Sequence, residues 1–214
     1  EALAGIGARV IRSDVNLGIG EAQNILALSA ILDRRQRIVL FDQDSALTCG
    51  AVIALAEAMD RLEQTGENPA VVGPRIMSPP GEEQRYKAPR YFPRRGRPSL
   101  PTAIPVQYVI ASGSLIDLAR WRRVGPMRSD FFIDAIDVEW CFRAWARGFS
   151  CWVCPDVALS HTIGAGRVGG GLLGPALPDQ APFRLYAYVR NQIFCLRLAH
   201  IPLAWRMRFL VHVV

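Results

Sequence analysis

The chain has 214 residues, half of them hydrophobic, and a formal charge of +6 in which Lys87 is the sole lysine and arginine supplies the rest of the basic residues. That length and apolar content predict one main domain with a substantial core, and no run reaches the roughly 18 uncharged apolar residues of a membrane-spanning helix. The basic balance suits a phosphate, a nucleotide or an anionic membrane as partner, while five cysteines at irregular spacing argue for reduced thiols in a cytosolic compartment and against a disulfide framework.

The chain opens at Glu1 with no secretory signal and stops in the apolar run 209–214, so a piece cut at both ends is expected. Ala8 to Ile11 reads as a strand. The stretch "SDVNLGIGEAQN" (13–24) is a glycine-containing loop entering a helix whose apolar stripe would be Ala22, Ile25, Leu26, Ser29 and Leu32 or Ala30. Ile38 to Phe41 is a strand. Gly50 to Gln64 is a helix with Val52, Leu55, Ala56, Met59 and Leu62 on one face, ended by Gly66 and Pro69. Ala70 to Met77 is a strand, and the proline- and arginine-rich stretch 78–105 is a loop or a loose hairpin. Val106 to Ala111 is a strand, followed by Ser112-Gly113-Ser114 and a short helix near 117–123. Val138, Cys141, Phe142, Trp145 and Phe149 mark another helix. Cys151 to His161 is strand-like with Pro155 as an interruption, and 164–178 is rich in glycine and proline. Strands alternating with helices predict an α/β sheet covered on both faces, with ligands beyond the carboxyl ends of its strands.

Asp42 and Asp44 stand at such an end, in "FDQDS". Residues i and i+2 of an extended segment share one side, and two carboxylates on one spot repel unless a cation lies between them. Mg²⁺ or Mn²⁺, which takes one or two carboxylates together with phosphate oxygens, is one explanation; a plain Asx turn is the other. A second acidic cluster holds Asp130, Asp134, Asp137 and Glu139. Capping explains Asp137, as an N-cap, and Glu139, in the first turn. It does not explain Asp134, which is set among Phe131, Phe132, Ile133 and Ile136, where a raised pKa would suit a general base. His161 gains interest only if the fold brings it beside Asp44.

These pieces occur in a fixed order: "NLGIGEAQN", "FDQDS", "ASGSLIDLARWRRVG", "FFIDAIDVEWCFRAWARGF" and "PDVALSHTIG". Together they resemble the family 2 glycosyltransferases, within them the bacterial enzymes that use dTDP-L-rhamnose. The resemblance implies a GT-A fold, a Rossmann-like mixed α/β sheet flanked by helices, over residues 1–180 with the family's first nucleotide-binding strand missing. Basic amphipathic helices over 181–214 would form a C-terminal extension. It implies an inverting, metal-dependent transfer using Mg²⁺ or Mn²⁺. Asp42, Asp44 and His161 are then the metal residues, with Asp42 and Asp44 also at the nucleotide-sugar beside Asn16, Gly18 and Asn24. Asp137 is the catalytic base, with Asp134 as second candidate. Ser112, Gly113, Glu139 and Trp140 face sugar and acceptor. The implied partners are dTDP-rhamnose and a glycan or lipid-linked acceptor in cell-surface polysaccharide synthesis. The implied location is the cytoplasmic face of the bacterial plasma membrane.

Three other features have plainer readings. "CWVC" (151–154) lies in a strand and not at a helix start, so packing is expected there, not redox or Zn²⁺ chemistry. "GAGRVG" (164–169) opens no helix and is not a dinucleotide fingerprint; a mobile loop is expected, with Arg167 near the diphosphate. No nucleic-acid motif accompanies the arginines of 85–97. The acid-free segment 181–214, with Trp205 and Phe209, fits either a membrane surface or an ordinary core helix. Another donor such as a galactofuranose nucleotide, or a non-catalytic basic protein binding membrane or nucleic acid, remains the competing reading.

Overall fold

The computed structural model describes residues 7–42, 45, 47–77, 99–160, 167–168, 177–178 and 181–213. In chain order the elements are α1 (Ile19–Leu32), β1 (Arg37–Val39), α2 (Cys49–Gln64), β2 (Pro69–Met77), β3 (Ile104–Pro105), β4 (Leu115–Asp117), α3 (Leu118–Val124), α4 (Ile136–Ala146), β5 (Ser150–Ser160), β6 (Arg167–Val168), β7 (Leu177–Pro178), α5 (Pro182–Leu196) and α6 (Leu203–Val213). The main sheet has the order β1-β4-β2-β5-β3. Its central pair β2–β5 is parallel, and β1–β4, β4–β2 and β3–β5 are antiparallel. β6 and β7 form a separate two-stranded ribbon.

The central strands read as near-continuous apolar runs because both faces are covered. One face packs α2 through Leu55, Ala58, Met59 and Leu62 against Val72, Trp152 and Cys154. The other carries a larger core with Phe131, Trp140, Phe142 and Phe149 on Val71, Cys151 and Val153, each large buried side chain contributing about 1.5–3 kcal/mol. Cys151 and Cys154 fall in opposite cores, as an odd separation along a strand requires, and all five thiols are free. The helices of the C-terminal segment share the larger core through Cys195 and Ile201. Trp205 meets Tyr108 and Phe142 edge-on at 5.4 and 5.3 Å. No described helix is long and apolar enough to cross a membrane.

Several expectations are corrected. Residues 8–11 pair with no strand, and Val10 and Ile11 are about half exposed. Residues 106–111 are not a strand, because this segment must travel from β3 at one edge of the sheet to β4 near the other. Gly73 in β2 makes room for that crossing: a Cβ there would lie 3.1 Å from the Cβ of Val109. α1 buries Gln23, Asn24 and Ala27, not the expected stripe, and leaves Ile19, Leu26, Leu28 and Leu32 exposed. α4 is capped by Ala135 in the left-handed region, which places Asp137 inside the first turn.

Candidate active site

Beyond the end of β1 the chain continues to pair, Leu40 N–H donating to Ser114 O at 3.1 Å and Gly113 N–H to Leu40 O at 2.7 Å. This pairing brings Asp42 beside the crossing segment, where the Ser112 hydroxyl donates to its carboxylate. Gly113 has φ 74°, and a Cβ there would lie 2.9 Å from Pro74, so this corner needs glycine.

The opposite wall comes from the start of α4 and the loop before it. Asp137 Oδ2 accepts the Ala111 N–H at 3.2 Å, and Oδ1 accepts its neighbour Val138 N–H at 2.8 Å. Among the described residues no cation pairs with it. Burial pushes its carboxyl up to about 6, with the nearby Asp134 charge adding to the rise and the two N–H bonds opposing it. Asp134 has φ 64°, and its carboxylate is gripped by Arg184 of α5 at 3.1 to 3.3 Å.

Between these walls lies a cavity of about 220 Å³. Asp42, Ala111, Ser112, Asp134, Asp137, Arg184 and, from α1, Ile19 and Gln23 line it. A larger open hollow of about 530 Å³ lies elsewhere, around Arg34, Arg35, Arg37 and Arg120. There Arg37 and Arg120 already pair with Asp60, Glu63 and Asp117, and it holds none of the residues singled out from the sequence.

The structure thus gathers Asp42, Ser112, Asp134 and Asp137 on one cavity. Asn16 lies just before α1, its Oδ1 accepting the Gly18 N–H at 3.0 Å. Gly18 has φ 77°, and a Cβ there would lie 2.7 Å from Phe132, so the α1 entry and the loop before α4 touch. Three residues stand apart from the cavity. Asn24 is spent on Met127, donating to its carbonyl at 3.0 Å and accepting its N–H at 2.7 Å. Glu139 is 1% exposed and held by Arg143 at 2.8 Å and by His200 at 2.8 Å. Trp140 is buried and donates to Gly125 O at 2.9 Å. Asp44, His161 and the "GAGRVG" stretch apart from Arg167 and Val168 lie outside the described residues, and among the described residues no group of three or more metal-type ligands gathers. Asp42, a carboxylate on the cavity wall, suits a hard cation.

Gln23 and Arg184 were not marked by the sequence reading. Arg184 is one of several arginines in an acid-free segment, and only the packing of α5 distinguishes it. Gln23 had a signal: a polar pair, Gln23-Asn24, inside an apolar helix. Its buried Oε1 has no hydrogen-bond partner among the described residues.

No family model matches the chain. Solved structures give the fold. S. aureus TarS covers 94% of this chain at a TM-score of 0.54 and 14% identity, over 32% of its own length. GalNAc-T7, solved with UDP, GalNAc and Mn²⁺, covers 94% at 0.58 and 13%, over 43% of its length. The fold is therefore GT-A, the architecture of glycosyltransferases. A particular relative is nearer in sequence: the dTDP-rhamnosyl transferase RfbF of Shigella flexneri is 30% identical over 202 residues, 92% of this chain. The chain spans 65% of that protein's length.

Proposed function

We propose that the chain is the donor-binding and catalytic portion of an inverting glycosyltransferase that moves L-rhamnose from dTDP-L-rhamnose to a hydroxyl of a glycan or lipid-linked acceptor. The observation that carries the reading is one cavity lined both by Asp42 with Ser112 and by Asp137, a carboxylate with no cation partner among the described residues, whose carboxyl is pushed up to about 6. A base in that range is ionised at neutral pH yet basic enough to accept a proton from an attacking hydroxyl. The relative's dTDP-rhamnosyl name supports the choice of donor.

In this mechanism Asp137 takes the proton as the acceptor oxygen bonds to the anomeric carbon. The bond from that carbon to the diphosphate oxygen breaks on the opposite face, and the electron pair leaves with dTDP. The two N–H groups on Asp137 hold its carboxylate in place. Asp42, Asp44 and His161 would hold Mg²⁺ or Mn²⁺, which when bound neutralises charge on the departing diphosphate. The Mn²⁺ of the GalNAc-T7 structure supports divalent-ion use within the fold.

The test is calorimetric titration of dTDP and UDP, with Mn²⁺ and with EDTA, followed by a release assay with dTDP-L-rhamnose. Binding that requires both Mn²⁺ and Asp44, with a preference for dTDP, supports the reading. Equal binding of UDP would move the donor to another nucleotide sugar, galactofuranose included. Absence of binding in the protein and in a form extended at its N-terminus would favour the non-catalytic alternative.

A peripheral site at the cytoplasmic face of the plasma membrane, reached through 181–214, is part of the same proposal. Phe183, Tyr186 and Ile193 of α5 and Leu203, Met207 and Leu210 of α6 are exposed, in a segment carrying five arginines and no acidic residue. Co-sedimentation with vesicles containing anionic lipid, lost on removing charge from Arg206 and Arg208, tests it. Equal recovery on neutral vesicles would count against it.

A further inference from the structure

The loop that delivers Asp134 and Asp137 is strained. Phe132, Asp134 and Ala135 have φ of 62°, 64° and 62°, and each such residue costs about 1–2 kcal/mol. The surrounding structure must over-determine such a segment for it to persist. A count of the loop's carbonyls locates what does so. Asp130 O and Phe131 O accept from Arg190 Nη2 at 3.1 and 2.8 Å. Phe132 O accepts the Ile19 N–H at 2.7 Å, and Ala135 O the Glu139 N–H at 2.9 Å. The remaining two, the carbonyls of Ile133 and Asp134, meet one side chain: Asn191 Nδ2 lies 2.7 and 2.9 Å from them, and 2.9 Å from the Phe131 carbonyl that Arg190 also reaches.

Asn191 is fully buried on the inner face of α5. Its Oδ1 accepts from Arg190 Nε at 3.1 Å and Nη2 at 2.9 Å, which fixes the amide with its donors toward the loop. The amide has two N–H groups, which the three carbonyls share. Three carbonyls drawn to one nitrogen, across three residues of positive φ, hold a particular backbone path.

We propose that Asn191 is a positioning residue for glycosyl transfer: by gathering the carbonyls of Phe131, Ile133 and Asp134 it sets the direction from which the Asp134 and Asp137 carboxylates meet the substrate. This rests on the reading of the cavity as the transfer site. α5, from the C-terminal segment, thereby belongs to the catalytic apparatus.

The test uses Asn191→Asp, which keeps the size and replaces donors by an acceptor, and Asn191→Ser, which keeps one donor. A displacement of about 1 Å at the reacting groups costs on the order of 10²-fold. The expected result is a kcat loss of that size per folded molecule, with the donor KM within about threefold and the midpoint of the pH–kcat profile displaced. If both variants fail to fold, Arg190→Gln, which frees the amide to turn, is expected to lower kcat by about tenfold with the same signature. A kcat within about threefold of wild type and an unmoved pH midpoint in a folded variant would overturn the proposal. Parallel losses of kcat, KM and thermal stability would do the same, since a merely structural role predicts them. Failure of the functional reading is separable. If the wild type transfers no sugar, the Asp137 carboxyl carbon is titrated by NMR in wild type and variants. A midpoint that moves in Asn191→Ser, which adds no charge, sustains the hold of Asn191 on the Asp137 carboxylate, and one that stays rejects it.

Discussion

α4 presents two carboxylates two residues apart with opposite surroundings. Asp137, in the first turn, accepts from two backbone N–H groups, pairs with no cation among the described residues and lines the cavity. Glu139 is turned into the core, where Arg143 grips both its oxygens at 2.8 and 3.0 Å and His200 adds a third contact at 2.8 Å. Burial outweighs Glu139 and holds His200 below its ordinary value, so its neutral ring donates Nε2–H to the carboxylate at pH 7. Desolvation bears on both acids. Where Arg143 compensates it and the neutral His200 ring donates, the carboxylate ties α4 to the segment between α5 and α6. Where they are withheld, it leaves a group poised to take a proton. A buried charge without a cation is an expensive arrangement, and its position on a cavity wall distinguishes chemistry from architecture.

Substitutions at each end of this contrast should fail in different ways. The largest effect is expected for Asp137→Asn: sugar transfer falls by about 10²–10⁴-fold, with nucleotide diphosphate affinity unchanged by calorimetry. Transfer near the wild-type rate would remove Asp137 from the mechanism. Glu139→Ala should act on stability instead, leaving Arg143 without a counter-charge at a cost of about 3–5 kcal/mol in urea unfolding. If the protein unfolds normally but loses transfer, the division between the two acids is wrong.

The pH dependence sharpens the contrast further. Asp137 is pushed up to about 6 and acts as its carboxylate, so kcat should be full above that value and fall as pH drops through it. Asp137→Asn should abolish this inflection and Glu139→Gln should keep it. The smallest effects belong to the pair between loop and α5. Arg184 is about 42% exposed in its contact with Asp134, so Arg184→Met should change stability by no more than about 1 kcal/mol. Asp134→Asn should slow transfer by less than about tenfold; a loss matching Asp137→Asn would promote Asp134 to the base.

The sequence carried the elements whose local signals agree with their surroundings. Leu55, Met59 and Leu62 mark the face α2 buries, and the apolar run at β2 marks a strand covered on both sides. Asp42 is marked by its place at the end of an apolar run, whereas Asp137 reads locally as a cap and is singled out only through the ordered motifs of the resemblance; both line the cavity. What escaped notice depends on crossings. Residues 106–111 look like a strand, but they must bridge strands at opposite parts of the sheet. α1 has apolar residues on most sides, so periodicity could not choose its inner face, and Gln23 and Asn24 went inward. Asn191 and Arg184 gain their roles from a loop some 50 to 60 residues earlier, a distance over which no local pattern speaks. The roles given to Glu139 and Trp140 by resemblance meet side chains that point into the core.

The placement of Cys151 and Cys154 in different cores has a practical consequence for anyone studying how the protein opens. Of the five thiols only Cys49 is exposed. An alkylating reagent therefore finds one site on the folded chain. Cys154 would report separation of α2 from the sheet, while Cys141, Cys151 and Cys195 would report opening of the other layer. The order in which the masses appear would map which half of the molecule comes apart first, with no label introduced.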